Sequence, residues 1–197
     1  MSESSMTPTS SGSATAPDTT AWHIDPAHSQ VEFGVRHMMI STVKGFFTGV
    51  EGVVHLDEDD LSSARVDVTI DASSVDTRNE DRDNHLRSGD FLDVETHPSI
   101  TFRSRRVEGS LESFRVTGEL TIRGETREVT FEAEKQGGGT DPWGNQRLGF
   151  RGETKVSRKD FGLTWNQALE TGGVLVGDDV RIILEVQGVR AEGTNEG

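Results

Sequence analysis

Alternation of polar and apolar residues with a period of two recurs through most of this chain, and that period belongs to half-buried β-strands. Over 30–36, Val31, Phe33 and Val35 alternate with Gln30, Glu32 and Arg36, and over 65–71 Val66, Val68 and Ile70 share one face. The pattern returns with Val116, Gly118, Leu120 and Ile122, then with Val129, Phe131 and Ala133, and then with Leu148, Phe150, Gly152, Thr154 and Val156. It appears last in Val180, Ile182, Leu184 and Val186. Shorter runs at 43–47, 52–56 and 99–107 bring the total to about eight or nine strands joined by short Gly or Asp turns, the signature of an antiparallel barrel or sandwich. The alternation stops near residues 79–88, a charged stretch with little apolar surface beyond Leu86 that reads as a short surface helix. Pro98 then imposes an extended approach to Ile100 and Phe102.

The inward faces of these strands hold Val, Ile, Leu, Phe, Ala, Gly or Thr, and the expected interior carries no charge. An eight-stranded barrel is either filled by its own side chains or just wide enough for one ligand. Gly118 and Gly152 remove side chains where a filled core would want bulk, although glycines also mark barrel bends. The residues alone leave both interiors open.

The connection from Arg82 to Phe102, RDNHLRSGDFLDVETHPSITF, resembles the signature of the YceI-like family of lipid-binding, lipocalin-like barrel proteins. WHIDPAHSQVEF at 22–33, HMMISTVKGFF at 37–47, LTIRGETREVTF at 120–131, RKDFGLTWN at 158–166 and VGDDVRIILEV at 176–186 extend the resemblance in the family's order. Leu92 departs from it, standing where the family often has a second aromatic. The resemblance implies a single lipocalin-like eight-stranded barrel over residues 21–190, enclosing a polyisoprenoid, an isoprenoid quinone or another long-chain lipid. With the strand phases above, the ligand tail lies against Phe33, Val35, Val68, Val116, Leu120, Phe131 and Phe150, entering past Met38 and Met39. A one-residue slip would invert any of these sets. A drug-sized ligand gains about 0.3 kcal/mol per heavy atom, so a chain of about 40 carbons reaches roughly 12 kcal/mol, near nanomolar, through apolar contact alone.

Three further features have competing readings. Met38, Met39 and Ile40 form an apolar connection, either tucked into the core or serving as an adaptable entrance lip. Phe46 and Phe47 are adjacent in a strand, so only one of them lines the barrel. Trp165 is a plug at a barrel end or a ligand contact.

Among ionisable groups, His37, Arg82, His85, Arg87 and Asp90 are expected to form a hydrogen-bonded, ion-paired network that anchors the Arg82–Phe102 connection across one barrel end and meets a ligand headgroup. A metal- or His-dependent enzyme using His37, His85 and His97 is the alternative from another class, and a filled barrel acting as an interaction module is the third. No metal-ligand spacing, GxSxG elbow or Cys is present, so no catalytic residue, metal or cofactor is assigned. The Gly137–Gly139 run reads as a hairpin loop and the acidic run Asp57–Asp60 as a solvated turn.

The chain is acidic, with a net charge of −14, which argues against a nucleic-acid partner. Residues 1–20, rich in Ser, Thr, Pro and Ala, read as a disordered leader, and 191–197 as a flexible tail. The leader holds no Lys or Arg and no apolar run of the kind a signal peptide needs, which gives a cytoplasmic expectation, with export, common among relatives, as the alternative. No stretch approaches the 18 or so apolar residues of a membrane span. Homodimerisation is left open.

Overall fold

Short breaks bend three of the protein's strands without interrupting the sheet. β1 (Thr20–Ile24) gives way at Asp25, whose carboxylate accepts a hydrogen bond from the Ala27 amide at 3.0 Å and caps a single 3-10 turn, Pro26–His28. Proline suits that position because the first-turn N–H it lacks would have no partner. The chain rejoins the sheet as β2 (Gln30–His37). Asp71 acts in the same way at the end of β5 (Arg65–Asp71): it accepts from the Ser73 amide at 2.9 Å before the two-residue β6 (Val75–Asp76). Between them β3 (Ser41–Phe47) passes into β4 (Val50–Leu56) through Gly49, whose amide donates to Ser74 Oγ at 3.0 Å. The pairs β1/β2, β3/β4 and β5/β6 therefore each serve as one bent barrel strand.

The computed structural model describes residues 19–192. The leader expected over 1–20 lies outside the described residues up to position 18, and the tail expected over 191–197 does so from 193 onward. β1 starts at Thr20, one residue before the expected domain boundary.

After β6, α1 (Glu80–Arg87) is capped by Asn79, whose side chain accepts from the Arg82 amide at 2.9 Å. Acidic residues fill its first turn and His85 and Arg87 its last, the order the helix dipole favours. β7 (Ser99–Ser110), β8 (Ser113–Ile122), β9 (Glu125–Thr140), β10 (Gln146–Ser157) and β11 (Val176–Arg190) follow. Around the barrel the order is β1/β2, β3/β4, β5/β6, β7, β8, β9, β10 and β11, each antiparallel to the next. β11 closes the ring. On one edge it pairs Leu184 with Gly152 of β10, and on the other it pairs Ile182 with Phe33 of β2 and Val189 with His23 of β1. The closed eight-stranded antiparallel barrel with one short helix agrees with the sequence reading.

Two expectations change. Gly137–Gly139 is not the hairpin loop. It belongs to β9, with Gly138 opposite Leu148, where a Cβ would meet Leu148 Cδ2 at 2.6 Å. The loop is 141–145, organised by Asp141, which accepts from the Trp143 and Asn145 amides. Gly118 does not open lumen space either. It sits beside a bulge between β7 and β8, and a Cβ there would stand 2.2 Å from the Arg103 carbonyl oxygen.

The strand ends define two barrel ends. At one lie the β2–β3 turn, the α1 connection and the 158–175 connection. At the other lie the 57–64, 111–112 and 141–145 connections, sealed by buried Trp22, Ile24, Leu56, Val107, Phe114 and Leu148. Arg147 fastens this sealed end, donating to Asp25 Oδ2 at 2.6 Å, Asp141 Oδ2 at 2.8 Å and Gln187 Oε1 at 2.9 Å.

The Arg147 guanidinium, helped by His28, lowers the Asp25 carboxyl from 3.8 to about 2, and Arg147 also holds Asp141 well below the usual range. Both carboxyl pKa values are depressed on folding, so the stability they contribute is present above the unfolded value of 3.8; Asp25's share is lost as pH falls through about 2, and Asp141's at lower pH still. Replacing Arg147 with Met should lower Tm by several degrees at neutral pH, with the gap from the parent narrowing steadily below about pH 4 in calorimetric scans.

Candidate functional site

The inward residues do not fill the barrel. They enclose a cavity of about 400 Å³ with an almost wholly apolar wall, within the roughly 300–1,000 Å³ range of ligand sites. Its walls differ. Phe102, Val116, Leu120 and Phe131 on β7–β9 are buried against one another, with Phe102 and Phe131 edge to face at 5.2 Å. Across from them Phe33, Val35, Phe150, Val156, Ile182 and Leu184 line the cavity and are only half-buried. Enclosed side chains with exposed surface mean space in front of them.

Small residues make that space. Phe33 folds its ring over Gly45, directly opposite in register, where a Cβ would lie 2.4 Å from Cζ. Its ring also packs on Phe47 at 5.5 Å, and Phe47, not Phe46, faces the lumen. At Gly152 a Cβ would find ordinary contacts of 3.7 Å to Leu184 and 3.8 Å to Ala133. This glycine borders the cavity.

Of the residues assigned to the ligand, Phe33, Val35, Val68, Val116, Leu120, Phe131, Phe150 and Trp165 line the cavity. Met38 and Met39 do not. They form the centre of a tight turn closed by the Ile40 amide on the His37 carbonyl at 3.0 Å, with φ of 51° and 59°, and they stand exposed beyond the strand ends.

The lining becomes polar at the α1 end, where His37, Thr77, Arg82, His85 and Arg158 reach it, and Arg36 of β2 and Arg151 of β10 border it too, contrary to the expected charge-free interior. The segment linking β6 to β7 is anchored there by arginines that bond mostly to backbone carbonyls and not to carboxylates. Arg82 Nε donates to Thr77 Oγ1 at 2.7 Å and Nη2 to the Thr77 carbonyl at 2.9 Å, while Asp83, buried, accepts from the Thr77 amide at 2.9 Å. Arg87 donates to the carbonyls of Ser73 and Val75 and stays outside the lining, as does Asp90. Asp90 holds His85 Nε2 at 2.8 Å, and the His85 ring sits edge-on to Trp165 at 4.6 Å and Phe91 at 5.0 Å. Trp165 is thus both a wall of the lumen and part of its end cluster. Leu92 is buried and also borders the cavity.

Arg158 was not singled out from the sequence. It is 4% exposed and donates to the carbonyls of Leu163 at 2.7 Å, Trp165 at 2.8 Å and Gly177 at 2.8 Å. Burial pulls its pKa below the usual guanidinium value. It pins the 158–165 connection, and with it Trp165, to the start of β11. A signal was present in RKDFG, a basic turn ending in Gly162 at φ 74°, but nothing local says which cation turns inward.

His97 packs over Gly124 and lies outside the lining. Among the described residues no three His, Cys, Asp or Glu side chains come together in a group able to hold a metal, so His37, His85 and His97 do not form one.

A family model described as YceI-like domain matches residues 22–188. A UPF0312 protein of Staphylococcus epidermidis is 41% identical over 163 residues, 82% of this chain and 93% of that protein. The crystal structure of a Campylobacter jejuni YCEI protein is 33% identical with a TM-score of 0.68, covering 80% of this chain and 90% of that one. A polyisoprenoid binding domain from Saccharophagus degradans shares the fold, with a TM-score of 0.64 at 13% identity over 87% of this chain and 99% of that one.

The two glycines give a direct check on the lumen. Gly118→Ala should cost about 1–3 kcal/mol through its clash with the Arg103 carbonyl, whereas Gly152→Ala should leave stability unchanged or slightly raised. Denaturant midpoints of the two variants measure the difference.

Proposed function

This chain belongs to the YceI-like domain family, and from that premise we propose that it binds one long-chain apolar molecule, a polyisoprenoid or isoprenoid quinone, in the barrel lumen, and sequesters or carries it. The observation that carries this reading is the apolar cavity of about 400 Å³ lined by half-buried Phe33, Val35, Phe150 and Ile182. Hydrocarbon walls recognise hydrocarbon: each methylene moved from water into such a wall gains about 0.8 kcal/mol. The polar groups are concentrated at the α1 end, where His37, Arg82 and His85 line the cavity beside Trp165, so a tail-first ligand would leave its polar head among them. The name of the Saccharophagus degradans domain supports the same ligand class. Holding such a molecule needs no catalytic group.

Titration with an isoprenoid quinone tests this, because a quinone quenches a neighbouring indole. The expected result is saturable, one-to-one quenching of tryptophan fluorescence. Trp165→Phe should remove most of the signal, and Gly152→Leu, which puts a side chain into the lumen of a protein that still folds, should weaken binding by roughly tenfold or more. Non-saturable quenching, or equal affinity in the Gly152→Leu variant, would reject the lumen as the site.

A further inference from the structure

We propose that the rim formed by the β2–β3 turn and the neighbouring 168–175 hairpin docks the barrel onto an electrically neutral lipid surface. This inference rests on the lumen reading above and adds the surface from which the ligand is exchanged. The two segments touch: the Met38 amide donates to the Leu175 carbonyl at 2.8 Å, and Val176 pairs with His37. Together they present Met39 at 63% exposure, Ile40 at 77% and Val174 at 42%, a concentration of apolar surface of the kind that marks an interaction site.

Charge identifies the occupant. In a chain whose residues are 27% charged, positions 37–43 hold no Asp, Glu, Lys or Arg, and 163–177 hold one, Glu170. Besides Glu170, the charge at the rim is Arg36, exposed at its edge, whose guanidinium donates to the Met39 carbonyl at 2.6 Å, so a strongly charged protein partner would find few groups to pair with. A second copy, also at −14, would meet the same overall charge and would seat one lumen mouth against another. An anionic membrane would repel the molecule as a whole, whereas a zwitterionic one lets the rim enter the headgroup layer with few charges to desolvate, Arg36 and Glu170. The turn itself is built against local preference. A tight hairpin with both central φ values positive favours Asn-Gly, yet Met38 and Met39 occupy those positions. Thioether side chains held outward there gain little from the fold and adapt well to acyl chains. The rim adjoins the half-buried lining residues Val35, His37 and Leu175 at the α1 end of the lumen, so docking places that end against the membrane.

The test uses the full chain carrying Ile40→Trp in a Trp143→Phe background, mixed with phosphatidylcholine vesicles whose acyl chains are brominated. The expected result is quenching of the new indole, roughly tenfold weaker vesicle binding when Met39→Asp is added, and weaker binding still when phosphatidylglycerol is mixed in. Absence of quenching in the Met39 parent overturns the proposal. So does binding strengthened by phosphatidylglycerol, and so does a dimer in sedimentation that Met39→Asp abolishes, which would assign the rim to a second copy. The Met39→Asp variant should still bind the quinone as its parent does. Quenching by vesicles without any quinone binding would leave the rim in place and remove the lumen reading, so the two failures are distinguishable.

Discussion

Closing eight strands fixes the volume that inward side chains must fill, and here they leave about 400 Å³ unfilled. An apolar void forfeits the dispersion contacts that a close-packed interior would have made. Around that space the β7–β9 wall packs on itself and the far end is sealed, with Arg147 tying Asp25, Asp141 and Gln187 together. The same unfilled space is what gives an apolar chain a reason to enter.

The rest of the site follows from how the barrel ends are made. At the sealed end, strands meet through short connections over Trp22, Leu56 and Phe114. At the other end, two longer segments fold over the opening, and each is held by a buried or half-buried arginine that satisfies backbone carbonyls. Such anchoring meets the hydrogen-bonding needs of irregular chain that has no sheet partner. It also brings His85, Phe91 and Trp165 into one cluster at the polar limit of the lumen.

Much of this was legible in the residues, for reasons that are local. Period-two alternation marks strands directly, and its break in the charged stretch near 79–88 marks the helix, so the barrel and α1 could be read in advance. The lumen residues on those strands followed once their phase was right. What was not legible depends on neighbours distant in sequence. Gly118 and Gly152 look alike in the pattern, but one touches a bulged backbone and the other borders open space. Gly137–Gly139 reads as a loop until Arg147, Leu148 and Gly149 are set opposite it. Met38 and Met39 look like lining because they are apolar, yet a turn with positive φ carries them past the strand ends. The inward turn of Arg158 is fixed by carbonyls of Leu163, Trp165 and Gly177, which no single stretch reveals.

The central claim is that the lumen holds a long apolar molecule. Native mass spectrometry of the freshly purified protein, followed by organic extraction and mass analysis of what is released, tests it most directly. A single stoichiometric adduct that extracts as a polyisoprenoid or isoprenoid quinone is the predicted result. A clean unliganded mass that persists after incubation with both classes of molecule would contradict it.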